Sequence, residues 1–156
     1  MAAEPDFHIV LVNPEIPPNT GTTARLCAAT DSRLHLIAPL GFSLEDRYLR
    51  RAGLDYWPHV DVEVHADWES FVRKHPAASL RLYSAKADRS YTSARYQRGD
   101  FLVFGGETSG LPGELLDRYA ERTCTIPMSG QKVRSLNLAN AAAIVLYEAL
   151  RQIGRV

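Results

Sequence analysis

The strongest constraint in this sequence is a recurring arrangement: short, nearly continuous apolar runs, each followed by an irregular loop and then a helical pattern. Phe7-His-Ile-Val-Leu-Val12 and Phe101-Leu-Val-Phe104 show almost no polar alternation, so a strand made of either must be covered on both faces, as in a parallel sheet. Leu34-His-Leu-Ile37 and Leu80-Arg-Leu-Tyr83 read as further strands, and Thr123-Cys-Thr-Ile126 as the last one before Pro127. Val60-Asp-Val-Glu-Val64 alternates as a half-exposed strand does. Helices are predicted from an Asn19 or Thr20 cap to about Ala29, over Leu44–Arg51, over Trp68–Lys74, from Pro112 to Tyr119, and from Asn137 to Ile153. The last carries apolar residues at 138, 141, 142, 145, 146, 149, 150 and 153, a helical stripe. Strands alternating with helices over 156 residues predict one α/β domain spanning 1–156, with a mainly parallel sheet flanked by helices.

Composition narrows the class. At 46% hydrophobic and 23% charged residues the chain lies outside disordered, collagenous and coiled-coil compositions. No apolar run approaches about 18 residues, and Met1-Ala-Ala-Glu-Pro-Asp6 has neither a basic patch nor an apolar core, so a cytoplasmic protein without a membrane span is expected. Cys27 and Cys124 have no Cys or His partner at metal-ligand spacing and read as small buried apolar residues. Eighteen basic residues balance eighteen acidic ones, which argues against non-specific nucleic-acid binding over the whole surface but leaves a local site open. Fifteen of the eighteen are Arg, whose rigid fork suits phosphate. Arg47, Arg50 and Arg51 cluster either as a solvated helix face or as a surface for a phosphate-bearing partner.

Ligands of open α/β sheets bind beyond the carboxyl ends of the strands, which directs attention to the loops after Val12, Tyr83, Phe104 and Ile126. In Gly105-Gly-Glu-Thr-Ser-Gly110, paired glycines directly after a strand allow a ligand to approach backbone amides closely. The spacing is neither G-x-G-x-x-G nor a phosphate-binding P-loop, and no G-x-S-x-G is present. His8, His35, His59, His65 and His75 are scattered, without metal-ligand spacing, and read as structural or exposed. Asn19 is most simply a helix cap. Arg25 sits among Ala24, Leu26, Cys27 and Ala28 and is expected to need an anionic partner, either a structural carboxylate or a substrate phosphate. Ser135 or Asn137 should cap the last helix, whose free amides also suit a polar ligand.

Three ordered segments, Asn13-Pro-Glu-Ile-Pro-Pro-Asn-Thr-Gly-Thr-Thr-Ala-Arg-Leu-Cys-Ala28, Leu102-Val-Phe-Gly-Gly-Glu-Thr-Ser-Gly-Leu-Pro112, and Ile126-Pro-Met128 with Ser135-Leu-Asn-Leu-Ala-Asn-Ala141, resemble the TrmH-like ribose 2′-O-methyltransferases of the SPOUT superfamily. Leu34-His-Leu-Ile37, Gly41-Phe42 and Leu49-Arg-Arg-Ala-Gly-Leu-Asp-Tyr56 are similar to its TrmL branch, which methylates the wobble nucleotide of leucine tRNAs. The resemblance implies a C-terminal trefoil knot, a homodimer with its active site near the subunit interface, bound S-adenosylmethionine, a tRNA substrate and no metal in the reaction. It implies that Tyr83, Gly105, Ile126, Ser135 and Leu136 hold the cofactor, and that Arg25, Asn19, Glu107, Ser135 and Asn137 form the catalytic set. Arg25 matches the motif arginine linked to activation of the ribose hydroxyl; an arginine, which keeps its proton, suits electrostatic positioning better than proton abstraction. Arg47, Arg50, Arg51, Lys86 and Arg89 are the candidate tRNA contacts, and Gly106 departs from the family pattern. Alternatives are another tRNA or ribosomal RNA ribose as target, and a knotted RNA-binding protein without turnover.

Overall fold

In the computed structural model, residues 3–47, 51 and 59–156 are described. Six strands form one sheet: β1 (Phe7–Val12), β2 (Arg33–Ile37), β3 (Val62–His65), β4 (Leu80–Tyr83), β5 (Asp100–Gly105) and β6 (Thr123–Cys124). Their order is β3-β2-β1-β5-β4-β6, and every pairing is parallel. The helices are α1 (Pro17–Thr30), α2 (Trp68–Lys74), α3 (Gly113–Arg118) and α4 (Leu138–Gln152).

The absence of polar alternation in β1 has the predicted cause. Phe7, Ile9 and Leu11 face one layer with Leu34, Leu36, Leu102 and Phe104, against Ala24 and Cys27 of α1 and Ala142, Val145 and Leu146 of α4. Val10 and Val12 face the other with Ile37, Leu82, Phe101 and Val103, against Trp68 and Phe71 of α2 and Leu115 of α3. Both Cys27 and Cys124 are buried as free thiols, and burial pushes the Cys27 thiol well up.

Three expectations change. The strand read over Val60–Val64 runs Val62–His65. α1 begins at Pro17, not after an Asn19 or Thr20 cap, and no side chain caps its Ile16 N-cap position. Prolines at its first two positions need no N–H partner and have φ fixed near the helical value, so the helix starts two residues before the polar pair. The strand expected over Thr123–Ile126 is two residues long, extended by a bridge between Ser90 and Thr125. The expected helix at Leu44–Arg51 lies largely outside the described residues, as does most of the Leu49–Tyr56 segment. None of the described helices is long and apolar enough to cross a membrane.

Candidate active site

A cavity of about 640 Å³ opens beyond the carboxyl ends of β4, β5 and β6. Its walls come from three loops: Gly105–Gly110 after β5, Ser84–Lys86 after β4, and Thr125–Asn137 after β6, closed by Ile16 and Asn19 of the first loop and helix.

The first and third of the sequence's irregular segments are locked together by exchanged carboxylates. Glu107 accepts from the amides of Glu15 and Ile16, both at 2.8 Å, and from Asn19 Nδ2 at 3.1 Å. Glu15 answers by accepting from the amide of Thr108 at 3.1 Å and its hydroxyl at 2.9 Å. With prolines at the first two helical positions, the free donors at the start of α1 lie at Glu15 and Ile16. The Glu107 carboxylate satisfies them from another loop and sits at the positive end of the helix dipole. Asn19 then passes the network on: its Oδ1 accepts from Asn137 Nδ2 at 3.0 Å, and Asn137 Oδ1 accepts from the Asn140 amide at 3.1 Å, capping α4. Asn19 therefore bridges two segments 118 residues apart in sequence instead of capping its own helix.

The glycines serve this closure more than ligand approach. A Cβ on Gly105 would lie 2.1 Å from backbone atoms of Gly110 and Leu111, and one on Gly106 would lie 2.6 Å from the carbonyl oxygen of Asn13. Gly110 has φ +67°, a left-handed conformation that favours glycine. The loop folds back on itself, with the Gly110 amide donating to the Gly106 carbonyl at 3.0 Å. Gly106 leaves room for the first loop passing over it.

Tyr83, Gly105, Ile126, Ser135 and Leu136 all line the cavity, as do Asn19, Glu107 and Asn137. The Tyr83 ring stacks on Phe104, with centroids 5.0 Å apart, and its hydroxyl donates inward to Tyr96 at 2.9 Å. Burial holds both phenols neutral, raising Tyr83 well above 10 and Tyr96 to about 12. Arg25 is not among the lining residues. It is exposed on α1, so the expected burial cost does not arise. Six residues beyond Asn19, it is displaced by about 9 Å along the helix and about 240° around it, whereas Ala24 and Cys27 turn into the core. Arg134 lines the cavity and was not singled out by the sequence, since nothing distinguishes it from other loop arginines. Lys86 lines the cavity, Arg89 lies beside Arg81 and Arg122 in a second hollow, Arg47 and Arg51 are exposed, and Arg50 lies outside the described residues.

Cavities of about 300–1,000 Å³ suit small molecules and cofactors, and apolar walls such as Phe104, Ile126, Met128 and Leu136 beside polar groups such as Asn19, Ser135 and Asn137 suit a nucleoside-sized ligand. Fold and site together define an α/β protein that holds such a ligand where its strands end. The chain belongs to the SpoU rRNA Methylase family, whose pattern matches residues 6–147. It is 48% identical over 147 residues to a tRNA (cytidine(34)-2′-O)-methyltransferase of Methylovorus glucosotrophus, covering 94% of this chain and 95% of that one. A solved structure concerned with 2-OH methylation of C/U34 on tRNA superposes with a TM-score of 0.90 at 49% identity, covering 94% and 95% of the two chains. The SpoU methyltransferase AviRb from Streptomyces viridochromogenes, in complex with AdoMet, superposes with a TM-score of 0.80 at 25% identity, over 97% of this chain and 60% of that one.

Proposed function

We propose that the chain is an S-adenosylmethionine-dependent tRNA 2′-O-methyltransferase acting on the wobble nucleotide, cytidine or uridine 34, of leucine tRNAs. The observation that carries this reading is near-half identity, over nearly the whole chain, to tRNA (cytidine(34)-2′-O)-methyltransferases. The site supports it. The walls around Gly105–Gly110, Ile126 and Leu136 fit a nucleoside-bearing cofactor, which supplies the methyl group.

The chain's own residues then have distinct work. Tyr83, Gly105, Ile126, Ser135 and Leu136 bind and orient the cofactor. Glu107, Asn19 and Asn137 fix the spacing between the first loop, the glycine loop and the start of α4, which would hold a ribose hydroxyl in position against the bound cofactor; positioning of this kind is a large part of catalysis. Ser135, at the exposed rim, lies within reach of both cofactor and substrate. Arg25 stabilises charge at the ribose oxygen and the neighbouring phosphate.

Arg25 lies outside its own chain's cavity, and a homodimer offers the means of bringing it to one. Ile16 and Tyr147 are each 45% exposed, and Leu136 and Ile144 each 36%; these apolar side chains near the cavity rim and on α4 suit a second copy. The reading also includes the C-terminal knot. It is supported by α4 returning from edge strand β6 to pack on α1, while the segment after β4 holds its far end: the Tyr96 amide donates to Gln152 Oε1 at 3.0 Å, and Gln152 Nε2 donates to the Ala94 carbonyl at 3.0 Å.

The test is a pair of leucine tRNAs differing only in the wobble sugar. Methyl transfer to the ribose form and none to the 2′-deoxy form is expected; equal transfer to both would move the target elsewhere.

A further inference from the structure

The histidines that look scattered in the sequence converge in the fold. His35 on β2 pairs in register with Glu63 on β3. Glu63 and His65, two apart on one strand, share its face. His75, at the C-cap of α2, lies over that face. His65 Nε2 is 3.1 Å from His35 Nδ1 and 3.5 Å from Glu63 Oε1, and His75 Nε2 is 3.1 Å from the same carboxylate oxygen. One ligand atom from each of the four lies within 4.8 Å of all the others. On the far side, His8 Nδ1 is 2.9 Å from His35 Nε2, and the His8 ring stacks on Phe101.

We propose that His35, Glu63, His65 and His75 form a structural binding site for a zinc-like divalent cation. Three imidazole nitrogens and one carboxylate oxygen suit zinc, and four protein ligands make a closed structural site. Ligand bonds of about 2.0–2.1 Å in a tetrahedron put neighbouring donor atoms about 3.3 Å apart, close to the three separations above, while the remaining pairs lie within 4.8 Å and would draw in around an ion. Hydrogen bonds from His65 Nε2 to His35 Nδ1 and from His75 Nε2 to Glu63 Oε1 can satisfy the same groups, whereas a cation would draw His65 Nε2 and Glu63 Oε1, now 3.5 Å apart, onto one centre. A proton on His35 Nε2, held by His8, leaves Nδ1 free for the metal, the outer partner that metal-bound histidines usually have.

The setting is otherwise suitable. His35 and His65 are buried, while Glu63 and His75 are each 19% exposed and provide the way in. Lys74 Nζ sits 2.7 Å from Glu63 Oε1. It is the competing cation and, being 61% exposed on a flexible stem, can swing to solvent. The ion would fasten edge strand β3 and the end of α2 to β2. None of these elements lines the active-site cavity, so the site is separate from methyl transfer.

The experiment uses untagged full-length protein stripped with chelator and titrated with Co²⁺, then with Zn²⁺ as competitor. The proposal expects one tetrahedral Co²⁺ absorption spectrum per chain, displaced by Zn²⁺, and a higher Tm with either ion. His75→Ala, which alters a partly exposed position, should weaken binding by about 100-fold or more, and Glu63→Gln should weaken it too. A wild-type chain with no saturable tetrahedral spectrum, or a folded His75→Ala variant binding as tightly as wild type, overturns the proposal and leaves a hydrogen-bonded histidine chain in its place.

Discussion

Glu107→Gln isolates the exchange of carboxylates that closes the site. In the wild type one carboxylate receives two backbone amides at 2.8 Å and the Asn19 amide at 3.1 Å. The carboxamide keeps one acceptor oxygen and turns an NH₂ toward a second donor, so at least one charge-assisted bond becomes a donor facing a donor. A hydrogen bond to a charged group contributes about 1.5–3 kcal/mol, and the site is partly exposed, so the expected loss is about 2–3 kcal/mol. For a chain of this size that lowers Tm by about 5–10 °C. Asn19 can turn its amide to rescue the contact only by giving up the bond from Asn137 Nδ2 to its Oδ1, so the damage travels to the start of α4. If about half the loss is felt in the cavity wall, S-adenosylmethionine binds about tenfold more weakly. Thermal unfolding with titration calorimetry measures both effects. A double-mutant cycle with Asn137→Ala should give a coupling of about 0.5 kcal/mol or more. A Glu107→Gln variant that melts within about 1 °C of wild type and binds the cofactor equally well refutes the reasoning.

Gly105→Ala puts a methyl group 2.1 Å from the backbone at Gly110 and Leu111; the turn must open, and cofactor binding should be lost with about 1–3 kcal/mol of stability, against no change if the turn is slack. Arg25→Ala should bind S-adenosylmethionine normally in calorimetry but methylate about 100-fold more slowly; normal turnover would remove its assigned role. Tyr83 and Tyr96 have phenol pKa values raised mainly by burial, so their contribution to stability is complete below pH 10 and is lost as pH rises toward the folded-state values, near 12 for Tyr96. An ultraviolet titration should show Tyr83 and Tyr96 ionising late, and their ionisation near pH 10 would contradict the buried pair. Leu146→Ala removes a fully buried side chain of α4 and should cost about 2–5 kcal/mol in urea unfolding; a smaller loss would mean that the layer beneath α4 collapses to fill the space.

Strands with nearly continuous apolar runs were legible because burial on both faces leaves no alternative: β1 matches the sequence reading residue for residue and β5 adds one residue at each end, while β4, interrupted by Arg81, also keeps its expected bounds. α2 is also matched, with Asp67 accepting from the Ser70 amide at its start. Asn137 was one of two candidate caps and is the one used. Asn19 misled because a polar residue after two prolines has the chemistry of a cap, and only the fold brings it a better pair of partners in Glu107 and Asn137. Arg25 misled because small apolar neighbours in sequence point to a different side of the helix. Glu15 lay in view without a role, since its partner Thr108 is 93 residues away. The histidine cluster was invisible for a similar reason: its ligands come from β2, β3 and the end of α2, so no local spacing betrays them.

Transfer of a methyl group to one particular ribose is tested with purified protein incubated with total tRNA and labelled S-adenosylmethionine, followed by mass-spectrometric mapping of the modified nucleoside. A 2′-O-methyl group on cytidine or uridine at the wobble position of leucine tRNA is expected. Label on a base, at another position, or nowhere in tRNA would contradict it.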